Sequence, residues 1–179
     1  MKFTFVISLL LVTGVTLWLS SSQFSITTPS EQNHLEHTLQ SYIEGGIHTH
    51  FSQTGSIIEL LTIDRAVKYL DQSEAHIEGI HYQSQIDQES IWDIQAATGK
   101  YLDAANELVL WDGVKVSGSH HDVHMQTDSM HVFMNQKKAV GQSPVLLTGI
   151  GSHTRGDRFE LNMNSNKATL KGNVQTHYE

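Results

Sequence analysis

Residues 168–178 read Ala-Thr-Leu-Lys-Gly-Asn-Val-Gln-Thr-His-Tyr. The even positions, Ala168, Leu170, Gly172, Val174, Thr176 and Tyr178, make a largely apolar face, while the odd ones, Thr169, Lys171, Asn173, Gln175 and His177, are all polar. Side chains alternate across an extended strand, so this stretch predicts one strand with a dry face and a wet face. Working outward, the same period of two recurs in Trp92, Ile94 and Ala96, in Leu108, Leu110, Val114 and Val116, and in Phe159, Leu161 and Met163. Such a strand set wraps one apolar interior in a solvated exterior.

From Tyr42 onward the chain is a series of short β-like runs: 42–51, 56–63, 66–70, 76–84, 91–97, 106–116, 122–134, 144–147, 158–163 and 168–178. Turn residues punctuate them at Gln53-Thr54-Gly55, Asp71-Gln72-Ser73, Ser117-Gly118-Ser119, Asn135-Gln136-Lys137, Gly149 to Gly156 and Asn164-Ser165-Asn166. Almost no long helical pattern interrupts them, which predicts an all-β sandwich or barrel-like fold. The last run stops one residue short of Glu179, so both chain ends are expected to supply edge strands. No proline blunts 168–178, and strand addition by a partner is a use such an edge invites.

Upstream, Phe3 to Leu19 holds no charge and follows Lys2. Seventeen residues of helix rise about 26 Å, within the lower range for a membrane span. Trp18 suits one membrane boundary and Lys2 marks the cytoplasmic side. Ser20 and Ser22 also fit a signal-peptidase site, but the apolar run is longer than a usual signal core. The expected organisation is a cytoplasmic start and transmembrane anchor over 1–22, a polar linker over 23–40 and one domain over 41–179, outside the inner membrane in either case.

Composition narrows the function. The chain carries 11 basic and 19 acidic residues and no cysteine. An acidic domain is a poor partner for nucleic acid or anionic lipid surfaces. Without cysteine there is no disulfide framework and no thiolate metal site.

Several motifs in a fixed order carry a family resemblance. Tyr42-Ile43-Glu44 leads to Phe51 and Gly55, and then come Trp92-Asp93-Ile94-Gln95-Ala96-Ala97-Thr98-Gly99 and Glu107-Leu108-Val109-Leu110-Trp111-Asp112-Gly113-Val114. Gln142-Ser143-Pro144-Val145 and Leu170 to Tyr178 complete the series. In this order, behind a single anchor, they resemble the LptC family of lipopolysaccharide export proteins; Gln40-Ser41-Tyr42 and Gly79 depart from its pattern. The resemblance implies a twisted, V-shaped β-jellyroll of antiparallel strands, tethered in the periplasm by one transmembrane helix. It also implies a transport component rather than an enzyme, with no cofactor. Lipopolysaccharide would arrive from an inner-membrane ABC transporter complex and pass to a soluble periplasmic jellyroll protein, its lipid A acyl chains riding in the groove.

Strand parity selects Ile47, Thr49, Phe51, Ile58, Leu60, Trp92, Ile94, Leu108, Leu110, Met125, Leu161, Met163, Ala168, Val174, Thr176 and Tyr178 as groove lining, with plain core the alternative for each. The resemblance implies that Tyr42, Ile43, Ile47 and Phe51 face the transporter, and that Leu170, Gly172, Val174, Thr176 and Tyr178 face the soluble partner. Because the guest must leave again, no deep polar anchor is expected inside. Two other readings stand beside this one. His48 and His50 have the spacing of half a cupin metal motif, although the next glutamate is Glu59. His120, His121 and His124 could also offer imidazoles to zinc, next to a polar turn. A jellyroll that binds soluble glycan is the third reading; it needs exposed aromatics, whereas Trp92 falls on an apolar face.

Overall fold

A computed structural model describes residues 38–85, 91–119 and 123–178, all within the chain's second compact unit. The expected anchor at 3–19 and the linker up to residue 37 lie outside them. Among the described residues no helix is long and apolar enough to cross a membrane. Six long strands come first: β1 Leu39–Phe51, β2 Ile57–Tyr69, β3 Glu74–Gln85, β4 Ile91–Leu102, β5 Glu107–Gly118 and β6 Val123–Phe133. A 3-10 turn, Met134–Gln136, leads into six shorter ones: β7 Lys138–Gly141, β8 Val145–Gly149, β9 Ser152–Gly156, β10 Arg158–Asn162, β11 Lys167–Lys171 and β12 Gln175–Tyr178. All pairings are antiparallel, in one 12-stranded sheet.

The order is β1-β2-β3-β4-β5-β6, and there the sheet forks. One branch runs β7-β10-β11 and the other β8-β9-β12, because β6 pairs β7 through 131–133 and β8 through 124–127. The edges are therefore β1 at one side and β11 and β12 at the other. The predicted terminal strand 168–178 is two strands. Gly172 and Asn173 both take left-handed backbone, at φ 75° and 44°, which breaks the ladder between Lys171 and Gln175. Conversely, the runs 56–63 and 66–70, expected as separate strands, form the single strand β2.

That break belongs to a seam crossing the whole sheet. Regular pairing lapses at Gly45 in β1, Asp64 in β2, Gly79 in β3, Ala96 and Ala97 in β4, Asp112-Gly113 in β5 and Asp128 in β6. It lapses again between β7 and β8, at Asp157 and at Gly172-Asn173. An extra residue in one strand bends it and shifts the facing of everything beyond. In β3 the buried side chains are Ile77 and then Ile80, three apart rather than two or four. In β6 they run Met125, Thr127, then Met130 and Val132.

Inside the folded sheet one continuous core is sealed. Ile80, Tyr82, Trp92, Ile94, Leu108, Leu110, Val116, Met125, Val132, Leu161 and Met163 are buried, with Ala168 and Leu170 packed on its margin. Four methionines, Met125, Met130, Met134 and Met163, sit in this core. Their unbranched thioethers fill irregular space and repack readily.

Candidate functional site

The interior opens where the sheet ends at β1. A groove of about 540 Å³ there is lined by Ile43, Gly46, Leu61, Ile63, Ala66, Ala75, Ile77 and Tyr101, with Ile47, His48 and Asp103 at its margin. Cross-strand partners share a face, so the register fixes what β1 turns inward. Ile43 opposes buried Ala66, Gly46 opposes Ile63, His48 opposes Leu61 and His50 opposes Glu59. The inward set is thus Ile43, Gly46, His48 and His50.

This corrects the facing expected for the N-terminal strands. Ile47, Thr49 and Phe51 alternate with that inward set, and Ile47 is 71% exposed. In β2 the inward residues are Glu59 and Leu61, so Ile58 and Leu60 share the outer face with Gln83. The cause is a carboxylate inside: Glu59 is buried to 4% exposure. Reading it as solvated turns both strands over. Farther along, Trp92, Ile94, Leu108, Leu110, Met125, Leu161 and Met163 do face inward, packed in the closed core. Ala168 opposes Leu161, while Thr176 opposes Thr154, which opposes Leu147 and through it Met125. Val174 and Tyr178 are exposed beyond that core.

Glu59 is not alone. Its carboxylate accepts hydrogen bonds from Lys137 Nζ at 2.8 Å and Tyr82 Oη at 2.8 Å, and it meets His50 Nδ1 at 2.9 Å. Lys137 Nζ also donates to Ser84 Oγ at 3.1 Å. Burial pushes the Glu59 carboxyl up, but the bonds from Lys137, His50 and Tyr82 outweigh it and hold it below the usual carboxylate range. Burial first, and the Glu59 charge second, push the Tyr82 phenol well up. A polar cluster therefore does lie inside the apolar interior, contrary to the expectation of none.

The cluster also bears on the cupin reading. The fold brings His50 to Glu59, but Lys137 already places a cation on that carboxylate. Among the described residues no three His, Cys, Asp or Glu side chains group as metal ligands. His120 and His121 lie outside the described residues, and His124 projects from the outer face of β6. Trp92 is buried and spends its indole N–H on Asn166 Oδ1 at 2.9 Å, so its ring offers a sugar no open face.

The two edges carry the exposed apolar residues. β1 shows Leu39, Tyr42, Ile43, Ile47 and Phe51 to solvent, and the far side shows Val174 and Tyr178, the latter 83% exposed. Of the rest of the expected C-terminal edge, Leu170 packs on the core and Gly172 sits in the seam. All four residues of β12 are exposed and pair only with β9.

An antiparallel sheet folded over an apolar interior, open along β1 and ending in free strands at β11 and β12, defines a β-jellyroll. The chain belongs to the LptC-related family of lipopolysaccharide-assembly proteins, whose model matches residues 5–179. Membership gives it a role in lipopolysaccharide transport and a place in the cell envelope. No curated protein matches the chain.

Proposed function

We propose that the protein is a membrane-anchored step in lipopolysaccharide transport, holding lipid A acyl chains in its apolar interior while the saccharide stays in water. It receives them across β1 from an inner-membrane ABC transporter complex. It passes them, across β11 and β12, to a soluble periplasmic jellyroll partner that extends the sheet. Residues 3–19 hold it in the inner membrane and the domain from residue 41 lies in the periplasm. The observation that carries this reading is the apolar groove at the β1 mouth, continuous with the inner faces of one sheet that runs from edge to edge. Each CH2 kept from water is worth about 0.8 kcal/mol, so a multi-acyl lipid needs such shelter at every step. No chemistry is required of the chain, and direction comes from ATP hydrolysis in the partner complex.

Photo-reactive residues at inward Ile43 and Thr176, with outward Thr49 and Gln175 as controls, test it during ATP-driven export. Lipid A adducts are expected at the first pair and not the second. Equal labelling of both pairs, or none at either, would sink the reading.

A further inference from the structure

The groove at β1 is open, but farther in the core is packed shut by apolar side chains, and a polar cluster sits among them. The turn from β6 to β7 and the turn from β10 to β11 are tied together, since Met163 N–H donates to the Lys137 carbonyl at 2.9 Å. Together they form a cap that contributes the fully buried Met134 and Met163. Among the described residues, side chains at Lys137 and Asn166 link this cap to the β2–β4 layer. Lys137 reaches Glu59 and Ser84, and Asn166 accepts from the Trp92 indole. Lys137 itself sits in left-handed backbone at φ 52°, at the tip of its turn.

We propose that the Lys137–Glu59 pair, with Ser84 and the Asn166–Trp92 bond, is a clasp that closes the interior, and that acyl chains enter when it opens. This rests on the lipid-carrying reading above. Three observations converge on it. A buried ion pair could be replaced by apolar groups of similar volume with little loss of stability, so its presence in an apolar layer suits a contact made to break and re-form. Opening breaks these links, together with the bond from Lys137 Nζ to the Ile58 carbonyl at 3.5 Å, and lifts the cap. The side chains then uncovered include Met134 and Met163, which repack around a guest of different shape more readily than branched side chains do.

The chain has no cysteine, so a thiol-reactive linker can be placed at will. In the full-length chain with its transporter complex, Glu59→Cys/Lys137→Cys is bridged by a short linker. A second pair, Trp92→Cys/Asn166→Cys, ties the same two layers at the other link while leaving Lys137 and Glu59 in place, in case the first variant does not fold. Photo-methionine at the core methionines reads loading of the interior, and a photo-reactive residue at inward Ile43 reads loading of the open groove. The expected result is that linking either pair cuts lipid A adducts on Met134 and Met163 at least tenfold, while adducts at Ile43 persist. Undiminished loading of the linked protein overturns the clasp and leaves the transport reading intact. Adducts at Ile43 but never on the methionines, even unlinked, also overturn it, since the interior would then never open. No adduct at any position overturns both.

Discussion

At the residue scale the decisive side chain is Glu59. A charged group at 4% exposure is stable only because Lys137, Tyr82 and His50 surround it. Lys137→Ala leaves that carboxylate uncompensated. Because Lys137 is itself 17% exposed, the loss is expected at the lower end of the range for broken buried pairs, about 3 kcal/mol, read as a fall in the urea midpoint. The same geometry sets the acid limb. The folded state holds the Glu59 carboxyl below its ordinary value, so the unfolded chain binds the proton first as pH falls. Its contribution is complete above about pH 4.5 and is lost progressively below. A Glu59→Leu/Lys137→Met variant should show a shallower loss of stability on acidification; an unchanged slope would mean that Glu59 is not the group titrating. This residue is also where sequence reasoning went astray. Alternation in Ile57-Ile58-Glu59-Leu60-Leu61 admits either facing, and only the partner 78 residues away makes the glutamate the buried one.

At the element scale the seam governs. Gly79 has φ 62°, and a Cβ there would lie 1.9 Å from Asp64 Oδ2 on β2. Gly172 repeats the arrangement at φ 75°, with Asp157 Oδ2 at 2.7 Å from its would-be Cβ. Both positions need glycine twice over, for the left-handed backbone and for the carboxylate resting against it. Gly79→Ala is expected to lower stability by about 2 kcal/mol by urea unfolding, of which Asp64→Ala should recover part. If the two substitutions simply add, the carboxylate does not occupy the slot. Alternation made Ala168 to Tyr178 one strand because the pattern continues through Gly172 without a stumble. A seam is a feature of strands side by side, and a single strand's sequence shows only a glycine.

At the scale of the whole molecule, the fork at β6 provides two distinct free strands at one side and β1 at the other. β12 pairs with β9 through residues 175–178 alone and ends in Tyr178. Val174→Asp or Tyr178→Asp is therefore expected to weaken capture of the proposed soluble jellyroll partner while leaving the circular dichroism and melting of the domain unchanged. Undiminished capture would move the docking site away from this edge. Among the described residues, the buried core cluster runs from Leu61 to Met163.

The period-two pattern by itself determined that this is an all-β protein with one apolar interior, because alternation is a property of neighbouring residues and needs no partner. It also placed Trp92, Ile94, Leu108, Leu110, Leu161 and Met163 inside, where strong alternation runs without a rival facing. Only the tertiary structure decided which face of β1 and β2 is inner, where the sheet forks, and that a lysine and a glutamate pair inside it. Those depend on which strands lie side by side and on contacts between residues far apart in the chain, and neither is carried by any local stretch.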